Sequence, residues 1–101
     1  MNKKYSVIVR GENFSLEIDG KTNTYGFITT RNVKAFSIDD ARELAITLVE
    51  NDADLKSLMT DKQNNAKPPT LYVEEMYHLS WWRKLGGKGF TFYIEENTAQ
   101  E

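Results

Sequence analysis

The sequence predicts an α+β domain, an antiparallel sheet covered on one face by helix, and three observations carry that reading. Phe14, Leu16 and Ile18 alternate with Ser15, Glu17 and Asp19, the period of a half-buried strand. Ile38, Ala41, Leu44, Ala45, Leu48 and Val49 trace one apolar face at helical spacing. Strand composition then returns over residues 70–79 and 90–95, after the helical segment. The expected order is β-β-β-α-(α)-β-β, a five-stranded antiparallel sheet with the helices on one face.

Each element has its own signal. Tyr5 to Arg10 is β-branched and aromatic, and Gly11-Glu12-Asn13 reads as a turn into the alternating segment that follows. Asp19-Gly20-Lys21 is a second turn, expected to continue loosely through Thr22-Asn23. A third strand is expected from about Tyr25 to Phe36, with a bend near Thr29 to Asn32. Ser37 can cap a helix whose first turn carries Asp39 and Asp40, well placed against the positive end of its dipole. Asn51-Asp52 breaks the pattern, and Asp52 or Asp54 can cap a shorter helix with Leu55, Leu58 and Met59 inward. Residues 60–69 turn polar and end in Pro68-Pro69, a loop. Phe90, Phe92 and Ile94 alternate with Thr91, Tyr93 and Glu95, and a hairpin with a long glycine-bearing tip is expected to join this strand to the one before it.

The 101 residues suit one domain, expected over residues 1–96, with residues 97–101 a disordered tail. The chain has no cysteine, which excludes disulfides, thiolate metal sites and cysteine nucleophiles. A net charge of −2 argues against a surface built wholly for polyanions. The amino terminus opens with Lys3 and Lys4, but its apolar run stops at Arg10, short of the roughly 7–15 residues of an export signal. No stretch approaches the ~18 apolar residues of a membrane span. A cytoplasmic chain with no membrane partner is therefore expected.

The most suggestive stretch is Ser80 to Gly89, where Trp81 and Trp82 stand beside Arg83, Lys84 and Lys88. Such a set can stack bases and hold phosphates, or serve as an aromatic contact for a protein. It lacks the spacing of a phosphate-binding P-loop. The plainer reading, tryptophans packed at the core rim and lysines keeping a sheet edge soluble, is preferred. His78 is the single histidine, expected to face solvent beside Glu74 and Met76, and one histidine makes a poor metal site. Glu74-Glu75 interrupts an apolar strand, so one of the two is expected inward or at a bulge. An ion pair across the sheet to Arg10 or Arg31 is preferred over a paired-carboxylate site. If Tyr5, Tyr25, Tyr72, Tyr77 and Tyr93 gather away from the helix, they mark a partner surface.

Val9-Arg10-Gly11-Glu12-Asn13-Phe14, Gly26-Phe27-Ile28-Thr29-Thr30-Arg31, Val73-Glu74-Glu75 and Gly89-Phe90-Thr91-Phe92-Tyr93 together resemble a family of short uncharacterised bacterial proteins. The resemblance spans nearly the whole chain. It implies a bacterial cytoplasmic protein and transfers no activity, cofactor or binding residue.

Three functions are weighed. The first is a non-catalytic interaction module that binds another protein or itself, as a homodimer, through an open sheet face or an edge strand. The second is single-stranded nucleic-acid binding through Trp81, Trp82, Arg83, Lys84 and Lys88. The third is an enzyme with a carboxylate-based site, placed last because no nucleophile–base pair, metal constellation or cofactor loop can be read. No catalytic, metal or cofactor-binding residue is assigned.

Overall fold

The computed structural model describes residues 2–63, 67–79 and 89–95. The elements run β1 (Lys3–Ile18), β2 (Lys21–Ala35), α1 (Ile38–Glu50), α2 (Ala53–Leu58), β3 (Thr70–Leu79) and β4 (Phe90–Ile94). The strands form one antiparallel sheet in the order β3-β1-β2-β4. The expected five-stranded sheet is therefore corrected twice: it has four strands, and its last two do not pair with each other.

The first error lies at Gly11-Glu12-Asn13. These residues form no turn; they are a bulge within one 16-residue strand, between the pairs Gly11↔Phe27 and Phe14↔Tyr25. Asn13 adopts a left-handed φ of 66°, which an asparagine tolerates better than most residues. The bulge shifts the alternation by one. Tyr5, Val7 and Val9 face the core before it, and Phe14 and Leu16 face the same core after it. Two runs in opposite phase thus belong to one strand.

The second error is the hairpin. β3 pairs with β1 and β4 with β2, so the two strands lie at opposite edges of the sheet. Leu79 stands opposite Lys4, and Phe90 stands opposite Thr29. The centre of the sheet is instead the β1–β2 hairpin, closed by Asp19-Gly20 with φ values of 54° and 77°. Two successive positive φ angles give the tight turn whose twist matches the strands it joins. Thr22 and Asn23, expected in the turn, are already paired strand, and β2 keeps its register through Thr29 to Asn32 without the expected bend.

The helical layer bends at Asn51-Asp52 and covers one face. Ser37 caps α1 by accepting from the Asp40 amide at 3.1 Å, and Asp52 caps α2 by accepting from Leu55 N at 3.0 Å. Ala41, Ala45 and Val49 of α1 and Leu55 of α2 are buried against Tyr5, Val7, Val9, Phe14, Leu16, Phe27 and Val33. Small alanines bring the helix close to the sheet. Its apolar stripe is wider than that contact, so Ile38, Leu44 and Leu48, expected inward, are left largely exposed. Where β1 runs on past β3, the segment after α2 takes over its edge. Thr60 N donates to Ser15 O at 3.1 Å, and the Gln63 amide both accepts from Ser15 N and donates to Ser15 O. No helix among the described residues is long and apolar enough to cross a membrane.

Candidate functional site

The face of the sheet turned away from the helices is built by four alternations. On β1 it carries Ile8, Arg10 and Glu12, whose neighbours Val7 and Val9 are buried on the other side. On β2 it carries Gly26, Ile28 and Thr30, and on β4 Thr91 and Tyr93. β3 contributes Tyr72, Glu74, Glu75 and Tyr77. A bulge between Ile8 and Val9 of the pairing leaves Glu74 as the extra residue, so that Val73 and Met76 both reach the core. Glu74 and Glu75 are then both free to lie on the open face. The expected bulge at this dipeptide is present.

Arg10 is the centre of that face. Its Nε donates to Glu74 Oε1, and its Nη1 donates to the Tyr93 hydroxyl at 2.6 Å. The guanidinium also stands 5.9 Å from the centroid of the Tyr93 ring. Gly26 makes this possible: a Cβ there would lie 2.5 Å from the Tyr93 hydroxyl, so only a glycine lets the ring lie across β2. Of the two ion-pair partners expected for the glutamates, Arg10 is the one used. The Glu74 hydrogen bond raises the Arg10 pKa above its ordinary value, Tyr93 adds to this, and partial desolvation opposes it. In return Arg10 holds the Glu74 carboxyl below its ordinary value.

Two tyrosine–carboxylate pairs flank this centre. Tyr72 donates to Glu12 Oε2 at 3.0 Å, and Tyr77 donates to Glu75 at 2.9 Å. Desolvation and the Glu12 hydrogen bond raise the Tyr72 pKa, and the Glu75 hydrogen bond raises that of Tyr77. Both rings remain open to solvent, at 41% and 51%. Tyr5 and Tyr25, by contrast, are buried in the core. Only part of the tyrosine set therefore gathers on the open face.

Arg31 takes a different place. It lies on the helix face, where its Nη2 donates to Asp52 Oδ2 at 3.0 Å and its guanidinium stacks on Phe90 at 5.1 Å. Nothing in the local sequence flags this buried pair, because its halves are 21 residues apart. His78 also differs from expectation in part. It is exposed, but it packs edge-on to Tyr5 at 5.6 Å, and the bulge puts Glu74 on the opposite face from it. Among the described residues no three or more His, Cys, Asp or Glu side chains gather as a metal site.

Trp81, Trp82, Arg83, Lys84 and Lys88 lie outside the described residues. Their flanking residues do not. Leu79 closes β3 at one edge of the sheet, while the Gly89 carbonyl accepts from Thr29 Oγ1 at 2.7 Å at the other. Comparison with family models, curated proteins and solved structures finds no match for the chain, so its function must be read from these residues alone.

Proposed function

We propose that the protein is a non-catalytic interaction module that binds a protein partner through the open face of its sheet. The observation that carries this reading is the pair of exposed tyrosines, Tyr72 and Tyr77, standing on either side of a pre-set Arg10–Glu74–Tyr93 array. Exposed aromatics on a rigid sheet lose little side-chain freedom on contact, and tyrosine and arginine are enriched where interfaces draw their affinity.

The face suits a partner better than the β3 edge does. An edge strand that pairs with its own copy must align antiparallel. Full overlap of β3 with a second β3 places Glu74 opposite the copy's Glu75, twice, and like charges directly opposed are destabilising. The bulge at Glu74 further spoils the edge as a template.

The test begins with sedimentation over a wide concentration range, with Tyr77→Arg as the face variant. A mass that rises with concentration in the wild type and stays monomeric in Tyr77→Arg identifies a second copy as the partner. If the wild type stays monomeric, a photo-crosslinker at position 77 is expected to capture a protein that the same group at Glu43, on the outer side of α1, does not. A monomer whose two probes give the same products would reject the proposal.

A further inference from the structure

β3 and β4 are not neighbours in the sheet and make no contact with each other among the described residues. One run of side chains nonetheless joins them. It passes from Tyr93 on β4, over Gly26 of β2, to Arg10 on β1 and on to Glu74 of β3. We propose that this run couples the two edges, so that loosening either edge strand loosens the other, and an occupant of one edge of the open face is felt at the other.

The coupling follows from the chemistry of the guanidinium. Its donors are held in one rigid plane, and here Nε is spent on one edge of the sheet while Nη1 is spent on the other. With Glu74 in place the plane is fixed, and Nη1 meets the Tyr93 hydroxyl without further ordering. Without Glu74 the long arginine stem is free to turn, and the bond to Tyr93 must bear the entropy of ordering it. The same holds in reverse. β4 is the element where this matters most, since it has only five residues and, among the described residues, β2 is its one sheet neighbour. Short, one-sided edge strands open at low cost, and a single attachment changes how often they do. The glycine under the ring shows that β2 carries the link without interrupting it. The coupling of the two edge strands does not depend on whether the open face binds a partner; only its effect on an occupant rests on that reading.

Amide hydrogen exchange on the full chain tests it. Glu95 N donates to Thr24 O at 2.9 Å, so the ladder's period of two turns the Thr91 and Tyr93 amides toward β2 as well. Glu74→Gln is expected to speed exchange at Thr91 and Tyr93 by roughly two- to fivefold, the scale of an exposed ion pair, with the central β1 amides unchanged. Glu75→Gln is the control, because Glu75 bonds Tyr77 and lies outside the run. Gly26→Ala displaces the ring from β2 and is expected to speed exchange at β3 amides that face β1. Three results would overturn the coupling. They are β4 exchange unmoved by Glu74→Gln, equal effects of the two glutamine variants on β4, or an effect of Gly26→Ala that stops at β4.

Discussion

Arg31 and Asp52 illustrate how much one buried pair can hold. Their side chains are only 5% and 10% exposed, and Asp52 uses one carboxylate oxygen for Arg31 and the other for the cap of α2. Asp52→Ala therefore removes a helix cap and strands a guanidinium in the core. A loss of about 3–5 kcal/mol is expected in a denaturant melt, the range for breaking one side of a buried pair. The double variant Arg31→Met with Asp52→Ala is expected to lose less, since no uncompensated charge is left behind. Glu74 makes a separate, pH-dependent contribution. Its folded pKa lies below the ordinary value of 4.5, so its stabilisation is present above that value and fades as the pH falls through the folded pKa. Glu74→Gln is thus expected to flatten the acid limb of the stability curve below about pH 5, while the curve near neutrality keeps its shape. Tyr77 has the opposite sense. Its raised pKa means stabilisation that is complete below 10.0 and lost as the pH rises further, and Glu75→Gln should lower its titration midpoint by ultraviolet absorbance.

At the scale of elements, the bulge of β1 and the caps of the helices are the features to challenge. Asn13 holds φ at 66°, a conformation that costs a β-branched residue about 1–2 kcal/mol, so Asn13→Val should lose that much and Asn13→Gly almost none. Thermal melts of the two variants separate a requirement for the left-handed backbone from one for the side chain. Ser37→Ala takes away the acceptor for Asp40 N and is expected to cost about 1 kcal/mol. The bulge also explains what could be read along the chain. Either side of it the alternation is clear, and both halves were expected as strands. A glycine followed by Glu12-Asn13 carries the same composition whether the chain reverses there or slips by a residue, and only pairing with Phe27 and Tyr25 decides between them. The capping of α1 by Ser37 was legible because a cap acts within three residues of itself. The exposure of Leu44 and Leu48 was not, since the width of the helix–sheet contact is set by the sheet.

At the scale of the molecule, the sheet has one face in the core and one that carries Tyr72, Tyr77 and the Arg10 array. A partner seated there must meet both charge and aromatic surface, so Tyr72→Ser combined with Tyr77→Ser is expected to abolish association while leaving the melting temperature within a few degrees of the parent. Those rings are exposed, and surface changes are usually within about 0.5 kcal/mol. A large fall in melting temperature would instead make the tyrosines structural and remove the support they give to an interface. The site itself was partly legible. The Glu74-Glu75 interruption pointed to an inward-facing or bulged glutamate and to a cross-sheet pair with Arg10 or Arg31; the bulge and the pair with Arg10 are what forms. Gly26 gave no such signal, because a glycine in a strand looks the same whether it bends the chain or lies beneath a ring from the neighbouring strand.

The sequence by itself determined that an antiparallel sheet is covered by a helical layer, the Ser37 cap of α1, the reversal of the chain around Asp19-Gly20 and the alternation on either side of the β1 bulge. All of these rest on interactions between residues close in the chain, where propensity and period act directly. Tertiary structure alone decided that β3 and β4 take opposite edges, that Arg31 meets Asp52, and that Arg10 joins Glu74 to Tyr93 across four strands. Strand order depends on which edge offers the better burial, and those edges come together only when the whole sheet forms.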